Sequence, residues 1–179
     1  MDADLELRPM DPDQADELYA LVDANRERLR EWLPWLGADY SLDVMRQYTW
    51  DRAADNRKRN SFTATIWLRG RICGAISLHQ INQRNRSSSI GYWLSKEAEG
   101  QGVMVRVCGK LLDLAFGEYG LHRIEIRCAT GNLRSKAIPR RLGFTEEGLL
   151  RQAEWLHGRW VDLRVFAMLS GEWRAAGPV

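Results

Sequence analysis

Ile90-Gly91-Tyr92-Trp93-Leu94, followed by Glu99-Gly100-Gln101-Gly102-Val103-Met104, is the stretch that decides the fold. An apolar, aromatic segment ends, two glycines one residue apart follow, and an apolar-periodic segment begins. That order predicts a strand, a tight turn and a helix. Such a turn leaves several backbone N–H groups unpaired at a helix N-terminus, where the helix dipole favours negative charge. A phosphate or pyrophosphate suits this place, and glycines let it approach the backbone closely. Glycines mark many strand-to-helix turns, so the flanks must carry part of the argument.

On the C-terminal side, a helix is predicted from Gly102 to Phe116, with Val103, Val107, Leu111, Leu114 and Ala115 on its apolar face and Tyr119-Gly120 ending it. Arg123 to Ala129 alternates strictly and predicts a strand. Asn132 can cap a short helix that closes at Gly143. Two strands, Phe144 to His157 and Arg159 to Leu169, flank a His157-Gly158 turn, and a frayed tail is expected from Arg174. On the N-terminal side, Ser87 to Leu94 is a strand. Phe62 to Leu68 and Arg71 to Ile81 form a hairpin around Arg69-Gly70-Arg71. Leu42 to Lys58 is a helix. Asp11-Pro12 starts another, carried by Ala15, Leu18, Leu21 and Val22 toward Arg30 and broken near Pro34. Leu5 to Arg8 is a short first strand. The order β-α-α-β-β-β-α-β-α-β-β predicts a mixed α/β sheet with one βαβ crossover at its centre. The glycine turn opens the crossover helix, where α/β folds commonly bind ligands. No repeat, linker or low-complexity segment interrupts the chain, so one domain over residues 1–173 and a tail over 174–179 are expected.

Composition bounds the function. Of 179 residues, 45% are hydrophobic and 28% charged, the balance of a soluble globular protein. No apolar run approaches the roughly 18 residues that span a bilayer, and the start, Met1-Asp2-Ala3-Asp4, is acidic where a signal peptide is basic. Cys73, Cys108 and Cys128 are far apart, show no metal-ligand spacing and sit among apolar residues, as buried thiols in a reducing cytoplasm would. A net charge of +2 argues against general nucleic-acid binding. Of the 26 basic residues 22 are arginine, whose forked donors suit phosphate and carboxylate, although codon bias accounts for such a preference equally well.

These residues, in this order, resemble the GNAT (GCN5-related N-acetyltransferase) family, and within it the Rim-type (RimJ/RimL) ribosomal-protein-serine N-acetyltransferases. The resemblance rests on the opening stretch together with Trp32-Leu33-Pro34-Trp35, Ala115-Phe116, Leu121-His122-Arg123-Ile124, Asn132-Leu133-Arg134-Ser135, Leu142-Gly143-Phe144, Glu146-Glu147-Gly148 and Gln152-Ala153-Glu154-Trp155, with Gly158 and Asp162 beyond. It covers essentially the whole chain. It implies a mostly antiparallel central sheet with a splayed parallel pair at the CoA site, and acetyl-CoA as acyl donor with no metal. The strand Ser89 to Leu94 would line the pantetheine arm. The backbone N–H groups of Gly100, Gln101, Gly102, Val103, Met104 and Val105 would hold the pyrophosphate, with Asn132 and Ser135 also near the cofactor. Glu97 stands where the wider family places Gln or Arg ahead of its glycines. Pro139 stands where many members place a tyrosine that protonates the leaving thiolate; proline has no proton to give. Ser135 would then be the acid and Glu154 the general base. Trp32, Trp35, Tyr92 and Glu154 would line the acceptor site.

The chemistry is direct transfer from a thioester to an amine. It needs a neutral amine, a donor for the oxyanion, expected at the backbone near Trp93 or Leu94, and a proton for the thiolate. Each residue has a plainer alternative: an ion pair of Glu154 with Arg151 or Arg164, a capping hydroxyl at Ser135, a solvated basic face for Arg134, Lys136, Arg140 and Arg141, and core packing for Trp32 and Trp35. His79, His122 and His157 fall at strand ends or turns. The expected acceptor is the α-amine of a protein, a ribosomal protein in the Rim class. A small-molecule amine such as a polyamine or an antibiotic, with acetyl or succinyl as the group moved, and a CoA-binding module without turnover are the alternatives. A homodimer is compatible with the sequence.

Overall fold

The structure, a computed structural model, describes the backbone of residues 4–176 and the side chains of residues 4–173. Strand β1 (Leu5–Pro9) leads through a 3-10 turn (Pro12–Gln14) into helices α1 (Ala15–Ala24), α2 (Arg26–Arg30) and α3 (Leu42–Lys58). Strands β2 (Phe62–Leu68), β3 (Arg71–Asn82) and β4 (Ser87–Leu94) follow. A second 3-10 turn (Lys96–Ala98) precedes α4 (Val103–Phe116), then β5 (Arg123–Ala129), α5 (Leu133–Arg141), β6 (Thr145–Leu156), β7 (Arg159–Leu169) and α6 (Ser170–Ala176). The strand order is β1-β2-β3-β4-β5-β7-β6, mostly antiparallel, with β4 and β5 parallel.

The expected order of elements is present with two additions. The first helix, expected to run unbroken toward Arg30, divides at Asn25. That residue leaves helical geometry (φ −114°, ψ 12°) and its side chain donates to the Leu21 carbonyl at 3.0 Å, which closes α1. Apolar spacing continues across the break, so periodicity alone does not show it. The second addition is α6, whose Trp173 is buried and donates its indole N–H to Asp113 at 2.9 Å. The tail expected from Arg174 therefore begins as the last turn of a helix, and residues 177–179 lie outside the described residues.

Contacts divide the chain into two compact units, residues 1–77 with 92–103, and residues 78–91 with 104–179. In the first, Met10, Leu18, Val22, Leu29, Leu36, Tyr40, Met45 and Ile72 form one apolar cluster, against which Leu33 and Trp93 pack. The Asp11 side chain accepts the Asp13 N–H and Gln14 reaches back to the Asp11 N–H, a capping box at the predicted proline start. Arg69 and Gly70 both take positive φ (51° and 75°), the backbone that a two-residue hairpin turn requires.

In the second unit the i, i+4 spacing of α4 buries Val107, Leu111 and Ala115 on one side. On β5, Ile124, Ile126 and Cys128 are buried, while Arg123, Glu125 and Arg127 share the opposite face, with both arginines paired to Glu125 at 2.9 and 2.8 Å. β5 runs beside β7 along its whole length, but its parallel register with β4 covers only Ser87–Ser89 against Arg123–Glu125.

Gly74 on β3 is fixed by close approach: a Cβ there would stand 2.2 Å from the Trp93 carbonyl oxygen and 3.1 Å from the Leu94 Cα. Gly74→Ala should push the end of β4 aside and destabilise the protein by about 1–3 kcal/mol, the usual range for overpacking. Urea unfolding checks this; an unchanged midpoint means that β4 yields without strain.

Candidate active site

The end of β4 and the turn after it are tightly specified in the first unit. The Ser95 N–H donates to the Cys73 carbonyl at 2.7 Å, and the Ala98 and Glu99 N–H groups close the 3-10 turn. Gly100 and Gly102 then take φ of +75° and +71°, a left-handed backbone that other residues adopt only under strain. A Cβ on either glycine would meet nothing within 4 Å, so the space above the turn is open. The helix that starts at Val103 directs its first N–H groups back toward this turn, and the arrangement fits an oxyanion such as a diphosphate. Val103 and Met104 are buried, Val105 is half-buried, and their side chains anchor α4 while the main chain serves the turn. The Gln101 side chain donates to the Glu97 carbonyl at 2.6 Å, so it closes the turn from within. Glu97, at the position where the wider family differs, contributes its carbonyl oxygen to that closure. Trp93 packs its ring into the apolar cluster and leaves its backbone as the part that can serve a ligand. Tyr92, Leu94 and Trp32 are half-buried; Trp35 is exposed, its ring 5.8 Å from that of Tyr40.

In the second unit Asn132 caps α5, its side-chain oxygen accepting the Ser135 N–H at 3.0 Å. The cap is thus the asparagine and not the Ser135 hydroxyl. That hydroxyl lies 3.1 Å from the Cys128 sulfur. Cys128 was not among the expected site residues; its signal is the β5 alternation, which turns it to the buried face shared with Ile124 and Ile126. Pro139 sits inside α5 and is buried. Having no N–H, it removes the helical bond to the Ser135 carbonyl four residues earlier. Lys136 donates to the Thr130 carbonyl at 2.6 Å and Arg140 pairs with Glu146 at 3.1 Å, so both of these basic side chains of α5 are engaged within the protein.

Glu154 lies on β6 beyond an irregularity. Leu150 opposes Leu163 and Glu154 opposes Val161, so two extra residues are accommodated on β6 between these pairs. Gln152 takes φ +50° there and its N–H is received by the Asp162 carboxylate at 2.8 Å. The simple alternation that would place Gln152, Glu154 and Leu156 on one face is broken by this bulge. Gln152 is exposed, Glu154 half-buried and Leu156 buried. Burial raises the Glu154 carboxyl above the ordinary carboxylate range, with no charged neighbour among the described residues contributing. The alternative ion pair with Arg164 is not formed, because Arg164 reaches Glu146 at 3.0 Å. Burial also pushes the Cys73 thiol up to about 11 and the Cys108 thiol higher still, which makes both poor nucleophiles near neutral pH. Among the described residues no cluster of His, Cys, Asp and Glu could hold a metal ion.

The acetyltransferase (GNAT) domain family matches residues 4–145. The chain belongs to the GNAT family. It is an acyl-CoA-dependent N-acetyltransferase with the fold expected from its sequence. YdaF of Bacillus subtilis (strain 168), named as a candidate ribosomal N-acetyltransferase, is 38% identical over 170 residues, covering 93% of this chain and 92% of its own. Among solved structures, RimL, a ribosomal L7/L12 α-N-protein acetyltransferase in complex with coenzyme A, superposes with a TM-score of 0.90 at 29% identity, over 93% of this chain and 94% of that one. The microcin C7 self-immunity acetyltransferase MccE, in complex with acetyl-CoA and AMP, gives 0.88 at 27% identity, over 94% and 93%. No described helix is long and apolar enough to cross a membrane.

Gly102→Val places a β-branched side chain in the open space above the turn and forces it into left-handed backbone. CoA affinity, measured by calorimetry, should fall about tenfold or more, equivalent to about 1.4 kcal/mol. Unchanged affinity in a folded variant removes the turn from the binding site.

Proposed function

We propose that this chain transfers an acetyl group from acetyl-CoA to the N-terminal α-amine of a protein, a ribosomal protein by its likeness to RimL and YdaF, in the cytoplasm. The observation that carries the proposal is Glu154, a half-buried carboxylate whose basicity is raised by loss of solvent and that pairs with no cation among the described residues. A free α-amine has a pKa of about 7.7–8.0 and a lysine amine about 10.4, so a modest base completes deprotonation of the first far more readily than of the second. Glu154 takes the amine proton, directly or through a water. The thioester supplies an activated acyl group and a thiolate leaving group. A backbone N–H at Trp93 or Leu94 donates to the carbonyl oxygen as it becomes an oxyanion. The Ser135 hydroxyl donates to the departing sulfur, the part that Pro139 cannot perform. Asn132 holds Ser135 by its backbone, the N–H groups from Gly100 to Val105 hold the pyrophosphate, and Trp32, Trp35 and Tyr92 line the acceptor side.

Glu154→Gln keeps shape and removes basicity. It should lower kcat about 10²–10⁴-fold near neutral pH, with partial rescue at higher pH as the amine arrives neutral. The sign of the effect on stability separates base from scaffold. A carboxyl whose folded pKa is raised weakens the fold once pH exceeds its unfolded value, so the glutamine variant should melt no lower than wild type at pH 7. A wild-type rate at pH 7, or an equal loss at every pH, excludes Glu154 as the base.

Ser135→Ala should lower kcat about 10–100-fold and leave CoA affinity nearly unchanged, because Asn132, not the serine hydroxyl, caps α5. A fall in melting temperature without a fall in kcat would assign the hydroxyl to packing against Cys128.

A second reading, a small-molecule amine as acceptor, is favoured by the likeness to MccE. A turnover screen with acetyl-CoA and succinyl-CoA against free-amine peptides, N-blocked lysine peptides, polyamines and aminoglycosides decides between the two.

A further inference from the structure

Two side chains at the joint between α1 and α2 hold the segment that leads into the glycine turn. Asn25 is buried, and its side-chain oxygen accepts the Lys96 N–H at 2.9 Å while its amide nitrogen donates to the Leu21 carbonyl. Arg28 donates to the Leu94 carbonyl at 2.6 Å and to the Asn25 oxygen at 3.3 Å, and its other terminal nitrogen pairs with the Glu99 carboxylate. The strand end, the 3-10 turn and the residue before Gly100 are thus each tied to one short stretch of helix about 70 residues earlier in the chain. The side chains of Arg28 and Glu99 are each only 27% exposed, so the pair is shielded from the solvent that would otherwise weaken it. Its placement matters because Glu99 immediately precedes the left-handed turn. A carboxylate there, left uncompensated, would repel any anion received by the N–H groups that follow.

We propose that Arg28 is a positioning residue for the donor site. With Asn25 it fixes Leu94–Glu99, and it neutralises Glu99, so that the diphosphate of CoA meets a preformed turn free of opposing charge. The inference rests on the reading that the Gly100–Val105 turn receives that diphosphate. Arg28 itself stays on protein groups and acts through the turn. The fork of the guanidinium is needed, since one side chain serves a carboxylate and two oxygens at once, which a lysine ammonium on a single stem does less well.

The test is calorimetric titration of CoA into the full chain and its variants at low and at high salt, with thermal melting in parallel. R28A should bind CoA about tenfold more weakly at low salt and show a smaller deficit at high salt, where the exposed Glu99 charge is screened. E99Q should bind at least as tightly as wild type. R28A/E99Q should recover several-fold relative to R28A, a coupling that a purely structural role does not produce. R28K, which keeps the charge and the fold, should lie between wild type and R28A and serves if R28A does not fold. Wild-type affinity in folded R28A or R28K overturns the proposal, as does a double variant as weak as R28A. If Gly102→Val binds CoA like wild type, the reading of the turn fails first; if that substitution weakens CoA and R28A does not, the turn stands and only the role of Arg28 falls.

Discussion

Left-handed backbone at Gly100 and Gly102 is the constraint on which the rest of the site depends. A chain leaving β4 must reverse and enter α4 within a few residues, and it must do so with the first helical N–H groups directed into open space. Side chains at either glycine would be strained and would occupy that space. The surrounding sequence is arranged to hold this geometry while staying out of it. Gln101 closes the turn onto Glu97, Val103 and Met104 bury their side chains, and Gly74 lets the end of β4 lie directly against β3. Rigid flanks around an exposed, side-chain-free turn are what a preorganised anion site requires, because the ordering is completed on folding rather than on binding.

Two glutamates on one strand show how the fold divides its carboxylates. Glu147 on β6 accepts from Arg123, which holds its carboxyl below the ordinary range. Glu125 feels burial, which raises it, but the bonds from Arg123 and Arg127 prevail and lower it. Glu154, seven residues along β6 from Glu147, has burial and no compensating arginine among the described residues, and moves the other way. Arginine placement therefore decides which carboxylate stays a fixed charge and which keeps affinity for a proton. The first kind strengthens the fold above its unfolded pKa and loses that contribution as pH falls; the second carries the opposite sign and suits a proton acceptor.

Much of this was legible because period and turn chemistry are local. The alternation of β5, the face of α4, the Asn132 cap and the left-handed hairpin at Arg69-Gly70 all follow from residues within one element, and the structure places them where their spacing predicts. The features that escaped are those set by distant partners. Asn25 divides α1 from α2 while binding the Lys96 N–H, 71 residues away. The bulge at Gln152 depends on Asp162 across the hairpin, and α6 depends on Trp173 reaching Asp113. The neighbourhood of Ser135 and Cys128 needs β5 and α5 brought together, which spacing alone does not reveal.

Pro139 links these points to the chemistry. In a nine-residue helix a proline at the seventh position leaves the Ser135 carbonyl without its helical donor, at a site where Asn132 has already satisfied the Ser135 N–H. The Ser135 N–H is thus fixed by Asn132, and capping of α5 falls to the asparagine rather than to the Ser135 hydroxyl. A tyrosine at position 139 would restore a helix donor and bring its own acid; the proline does neither. The proline, which has no proton to donate, thus lies one helical turn from Ser135, whose hydroxyl is 3.1 Å from the Cys128 sulfur and whose backbone is set by the Asn132 cap.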